Sequence, residues 1–136
     1  MMVTAAVWYI VTVMVIATAG QPGTAHAGFV DTYGEWRKLS ALQKATYLIA
    51  LWDVFSSFTL VHGAYGDADV PALKRCGERA QLDAAMLYDA VDGWYKRDTS
   101  NWDKPPFVAF YDAIVRSRCR NEVNEERRKR NLAPLQ

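Results

Sequence analysis

The sequence predicts an all-α fold, a small bundle of three main helices and a short fourth, stapled by one disulfide and preceded by an N-terminal signal or anchor helix. Three observations carry this. Apolar residues recur at spacings of three and four in three separate segments. No segment sustains the two-residue alternation of a half-buried strand, and no Asn-Gly pair joins two strand-like runs. Two cysteines, Cys76 and Cys119, stand on the far side of an export-type leader.

The leader comes first. Residues 1–30 carry no Lys, Arg, Asp or Glu, and MVTAAVWYIVTVMVIATA is long enough for the apolar region of a secretory signal. Gly20 and Pro22 then break a helix, and Ala25-His26-Ala27 fits a small-x-small cleavage site. The organisation expected is a signal peptide over 1–27, a disulfide-stapled body over 28–120 and a charged tail over 121–136. The free amino terminus is the only positive charge of the n-region, so an uncleaved membrane anchor is the alternative. Either way the body lies outside the cytoplasm, in the periplasm or anchored facing it. In an oxidising compartment an even cysteine count implies pairing, and Cys76 can pair only with Cys119.

The first main helix is expected from Ala41. Ser40-Ala41-Leu42-Gln43 fits a capping box, in which the serine hydroxyl and the glutamine side chain each satisfy the other residue's backbone amide. Ala45, Leu48, Ile49, Trp52 and Phe55 share one face, and Tyr47, Leu51, Val54, Phe58 and Val61 share its neighbour. So wide an apolar arc implies contact on several sides. The stretch TYLIALWDVFSSFTLV could tempt a membrane reading. Asp53 at its centre would cost about 2.5–3.5 kcal/mol on an insertion scale, so a buried central helix is the better assignment. Asp53 should then find a partner or reach the surface.

Residues 62–69, HGAYGDAD, read as a loop, and Val70-Pro71 as the entry to one short helical turn that ends at Gly77. The next helix is expected from about Glu78 to Lys96, with Ala80, Ala84, Leu87, Tyr88, Val91, Trp94 and Tyr95 inward. Asp83, Asp89 and Asp92 fall on its solvated side, and Asp92 can pair with Lys96 at i,i+4. A loop over 97–106 closes on Pro105-Pro106. The last helix, FVAFYDAIVRSRC, carries the stripe Phe107, Phe110, Tyr111, Ile114 and Val115.

The chain contains 136 residues, 51% of them hydrophobic and 23% charged, with a formal net charge of +1. That suits one modest core and gives no whole-molecule field towards nucleic acid. The charge is unevenly spread. Asp31 to Asp112 holds twelve acids and nine basic residues, whereas Arg116 to Arg130 holds seven basic residues and three acids. Glu125 and Glu126 can pair with Lys129 and Arg130, so this stretch reads as a frayed, solvated helix extension or as an electrostatic docking strip.

No catalytic constellation emerges. His62 is the only histidine beyond the leader and reads as a loop residue, which leaves a Ser-His-Asp or Cys-His site little to build on. Asp67-Ala68-Asp69 lacks the spaced acids and terminal glutamate of an EF-hand, and a turn and helix cap is the expected role. Asp89 and Asp92 read as solvated. The chain is therefore expected to be a non-enzyme without cofactor or metal. A protein partner is expected, nucleic acid is not, and a homodimer is possible. The membrane enters only if the leader is retained. The candidate partner surface is Trp36, Tyr65, Trp102, Arg127 and Arg128, because exposed aromatic and arginine side chains dominate protein interfaces.

The order of these features resembles the small periplasmic type VI secretion amidase-immunity (Tai-like) family, which is similar in architecture to acid-stress chaperones of the HdeA type. The likeness rests on a signal peptide, Tyr47-Leu48-Ile49-Ala50 followed by Trp52-Asp53, and a cysteine before a helix opening Gln81-Leu82. Trp94-Tyr95, a proline-containing loop and a closing helix that ends in Cys119 complete it, and Ala50 stands where the family stretch has glycine. The resemblance implies a non-enzymatic immunity-type inhibitor. A chaperone of the acid-stressed envelope and an accessory subunit of a membrane-attached complex are the alternatives.

Overall fold

A computed structural model describes residues 30–57 and 63–136. The expected leader, His62, Phe58 and Val61 lie outside the described residues. The described chain is all-α, 78% helical, with six α-helices and no strand. These are α1 (Tyr33–Lys38), α2 (Ala41–Ser57), α3 (Ala64–Ala80), α4 (Ala84–Arg97), α5 (Pro106–Phe110) and α6 (Arg120–Lys129). A 3₁₀ turn, Thr99–Asn101, follows α4, and a π-helical segment, Tyr111–Arg118, joins α5 to α6.

Helix α2 is the central element, packed against α3, α4 and α5. It starts at the expected capping box. The Ser40 amide donates to Gln43 Oε1 at 2.8 Å, and the Gln43 amide donates to Ser40 Oγ at 3.2 Å. Leu48 is fully buried, Tyr47, Leu51, Trp52 and Phe55 pack partly against the core, and Asp53 is exposed. The carboxylate thus reaches water and avoids the cost of burial. Ile49, expected inward, is 46% exposed.

Helix α1 has the same kind of start. Thr32 Oγ1 accepts from the Glu35 amide, and Glu35 Oε2 accepts from the Asp31 amide. Thr32-x-x-Glu35 is a capping signature legible in the sequence, although no helix is expected there.

Three expectations are corrected in the middle of the chain. The loop over 62–69 is helix from Ala64 onward, Pro71 sits inside α3 rather than at its entry, and Gly77 does not interrupt it. Packing explains this. Gly66, Ala68, Ala72, Leu73 and Cys76 are buried along α3, and tertiary contact overrides the weak propensity of a Gly- and Asp-rich start. The real break comes at Gln81, whose left-handed backbone (φ 49°, ψ 48°) caps α3. The Leu82 amide donates to the Gly77 carbonyl at 3.1 Å and the Gln81 amide to the Glu78 carbonyl at 3.3 Å, a Schellman-type stop. Asp83, expected on a solvated helical face, instead caps α4 by accepting from the Met86 amide at 2.8 Å.

Leu87, Val91 and Tyr95 of α4 are buried as expected. Pro105 and Pro106 start α5, where a missing amide costs nothing. Phe110, Ile114 and Val115 are buried, but Phe107 is 49% exposed and leaves the expected stripe. In the π-helical segment the Cys119 amide donates to the Ile114 carbonyl, an i→i+5 bond. That wider turn suits the five-residue steps from Phe110 to Val115 and from Ile114 to Cys119, all four of them buried.

Cys76 and Cys119 form a disulfide with Cα atoms 5.5 Å apart, and both are fully buried. It ties the middle of α3 to the start of α6. Such a bond fits an oxidising, exported compartment. No helix of the described residues is long and apolar enough to cross a membrane.

The residues expected as a charged tail, 121–136, belong to the body. Helix α6 packs along α3, with Val123 fully buried between them. After it Asn131 takes a left-handed conformation, φ 56°, and the chain folds back. The Leu135 amide donates to Asn124 Oδ1 at 2.7 Å. A frayed extension or a docking strip is what the charge count alone suggests, because it conceals pairing geometry. The acids of α6 meet Arg75 and Arg79 of α3, and its Arg127 meets Asp69.

Candidate functional site

The five residues expected to form a partner surface do not form one patch: Tyr65 and Arg127 meet, whereas Trp36 lies in the core. Trp36 lies in α1 and is fully buried, packed edge-on against Tyr47 at 5.9 Å with Lys44 Nζ 5.5 Å from its ring centroid. It is a core residue, which corrects the surface assignment. Its indole nitrogen has no hydrogen-bond partner among the described residues.

Arg127 is committed inside the fold. Its Nε and Nη2 donate to Asp69 Oδ1 and Oδ2 at 2.7 and 2.5 Å, and its Nη1 donates to the Ala133 carbonyl. The guanidinium also lies 4.9 Å from the Tyr65 ring centroid. The hydrogen bonds to Asp69 hold its pKa above the usual arginine value. Tyr65, which is 37% exposed, therefore supports this clamp. Asp69 is its acceptor rather than the turn residue expected. Of the basic stretch, Lys129 pairs with Glu125 at 3.0 Å and Arg130 with Glu126 at 3.3 Å, the i,i+4 pairs expected. Arg128 is exposed, with no ion pair among the described residues.

Trp102 is the member of the set with the geometry of an anchor. It is 46% exposed, yet three contacts fix it. Its indole N–H donates to the Tyr95 carbonyl at 3.2 Å, its own carbonyl accepts from the Tyr33 amide at 3.0 Å, and its ring lies 5.5 Å from that of Tyr33. Tyr33 in turn stacks on Tyr95 at 4.5 Å.

Tyr95 supports the platform from below. It is fully buried, and its hydroxyl donates to the Lys104 carbonyl at 2.7 Å. Burial pushes that hydroxyl far above the ordinary tyrosine value, with the neighbouring Tyr47 and Tyr33 adding to the shift. It stays a neutral donor at any physiological pH. Asp98 tightens the same connection by accepting from the Ser100 amide at 2.9 Å, and hydrogen bonds from Ser100 hold its carboxyl below the usual aspartate value.

Five residues beyond Trp102, Phe107 is the second residue of α5 and is 49% exposed. Trp102 on the α4–α5 connection and Phe107 in α5 are thus two half-exposed aromatic side chains five residues apart in the chain. Phe107 was missed because its spacing placed it in the stripe of the last helix. Rigid, half-exposed aromatic side chains bind partners at a low cost in conformational entropy. Among the described residues, no three His, Cys, Asp or Glu side chains converge as metal ligands.

Comparison with family models, curated proteins and solved structures gives no match for this chain.

Proposed function

We infer that this chain is an exported, non-enzymatic protein of the periplasm that binds a protein partner, in the manner of an immunity-type inhibitor. The observation that carries this reading is Trp102, half exposed and fixed through the Tyr33–Tyr95 platform. The partner would cover Trp102 and Phe107. A buried disulfide keeps the scaffold closed in an oxidising compartment. The amidase-immunity resemblance supplies the partner class. Purified periplasmic amidases titrated against the oxidised protein should include one that binds stoichiometrically and is inhibited, with Phe107→Glu abolishing both effects. Failure of every amidase to bind would remove the immunity reading.

An acid-stress chaperone is the second reading. It is favoured by the carboxylates that hold α6 on α3, namely Asp69, Glu122 and Glu126. Protonation of Glu126 would release Arg75, loosen α6 and uncover Val123 and Leu135. Client aggregation assays at acid and neutral pH separate the two readings, since protection only in acid supports the chaperone. Intact mass of the exported protein, with and without reduction, tests the periplasmic assignment. A mass beginning at Gly28 excludes the alternative of a subunit anchored by its leader.

A further inference from the structure

A second surface, built from residues other than Trp102 and Phe107, lies along α2 and α3. Leu42 and Ile49 stand two helical turns apart on one side of α2 and are 76% and 46% exposed. Trp52, three residues beyond Ile49, borders a depression of about 310 Å³ lined by Trp52, Lys74, Gly77, Glu78 and Leu82. Gly77 lets the Trp52 indole lie close against α3. A Cβ at that position would lie 2.5 Å from Trp52 Cζ2, so any side chain there would drive the indole outward.

The charges beside this depression carry a pattern. Lys74 and Glu78 are exposed on α3 and lie four residues apart, about 6 Å along the helix axis. Neither belongs to an ion pair among the described residues, whereas their neighbours Arg75 and Arg79 turn towards α6 and pair with Glu126 and Glu122. Opposite charges one turn apart on a single helix face are self-complementary. When two copies meet about a two-fold axis with their α3 helices antiparallel, Lys74 of each faces Glu78 of the other. An isologous contact requires this reciprocity. The apolar strip of Leu42, Ile49 and Trp52 supplies its water-excluded part.

We propose that the α2–α3 face, centred on the depression between Trp52 and Gly77, is the docking site for a second copy of this chain. The Lys74–Glu78 pairs formed twice across the two-fold set its register, and Leu42 and Ile49 supply the apolar contact.

The test is a charge exchange in the full, oxidised chain, read by sedimentation equilibrium. The wild-type chain should dimerise below about 100 µM. Lys74→Glu and Glu78→Lys should each raise the dissociation constant about tenfold, because like charges then face each other twice. A one-to-one mixture of the two variants should recover the wild-type affinity or better as a heterodimer, since one copy then presents two acids and the other two bases. Ile49→Asp should leave a monomer. Both charge variants are surface changes, and their melting curves should match that of the wild type. A wild-type chain that stays monomeric, single reversals without effect, or a mixture that fails to recover would each overturn the proposal. None of these outcomes bears on the partner surface of Trp102 and Phe107, which is tested with Phe107→Glu.

Discussion

At the scale of single residues, Arg127 does the most that one side chain does here. It makes a bidentate pair with Asp69, holds the Ala133 carbonyl and lies on Tyr65, with only 11% of its side chain exposed. Truncating one partner of such a pair leaves an uncompensated charge. Arg127→Leu should therefore lower unfolding free energy by about 2–3 kcal/mol, and Arg127→Lys by less, because lysine keeps the charge but not the fork. Lys129→Ala, at a half-exposed i,i+4 pair, should change it by under about 0.5 kcal/mol. Urea denaturation of the three variants measures the contrast. The sequence could not separate these two cations. Both sit in one basic run, and only the path of α3 brings Asp69, 58 residues away, to Arg127. Trp36 was misread for the same reason, since its burial is made by Tyr47 and Lys44 of another helix. Ser40, Cys76, Cys119 and Asp53 were legible because capping, covalent pairing and the cost of a buried charge are local or leave few choices.

At the scale of elements, the sequence marks the first residue of α2 but not that of α3. The capping box of α2 is a four-residue signal, whereas the first turns of α3 are helical because they bury Gly66 and Ala68. Two substitutions test this account of α3. Gly77→Ala adds a better helix former, yet its methyl meets Trp52 Cζ2 at 2.5 Å. Steric conflict should win, with a loss of about 1–2 kcal/mol and a red-shifted tryptophan emission. Gln81→Gly relieves a left-handed backbone in a non-glycine residue and should raise stability by about 0.5–1 kcal/mol, seen as a higher Tm. A neutral Gly77→Ala or a destabilising Gln81→Gly would contradict the packing and the cap described. The π-helical segment leaves only a faint sequence trace, the five-residue apolar steps ending at Cys119.

At the scale of the whole molecule, the fold is closed by the α3–α6 seam. A disulfide spanning 43 residues contributes about 4 kcal/mol on the loop-entropy account. Ion pairs flank it and make the seam sensitive to acid. Burial pushes the Glu126 carboxyl up, but hydrogen bonds from Arg130 and Arg75, with the charges of Arg75 and Lys129, outweigh it and leave the pKa below the ordinary 4.5. Glu125 is lowered by its hydrogen bond to Lys129, and Asp98 by Ser100. Carboxylates with depressed folded-state values contribute stability above their unfolded pKa and lose it as pH falls through the folded value. Urea midpoints should therefore fall progressively below about pH 4.5 as these groups take up protons, and Glu126→Gln should flatten that fall. An all-α, single-disulfide body was legible because periodicity and cysteine count are properties of the whole chain. The inclusion of residues 121–136 in that body was not, because charge composition looks the same whether it faces water or a partner helix.

We propose that this stapled scaffold holds Trp102 and Phe107 out to a protein partner. The most direct measurement places a photo-crosslinking side chain at position 107 of the exported protein and reads the adducts in intact cells. The account predicts one discrete heterologous adduct that disappears when Trp102 is replaced by alanine in a protein that still melts cooperatively. No adduct, or a ladder of adducts indifferent to Trp102, would contradict it.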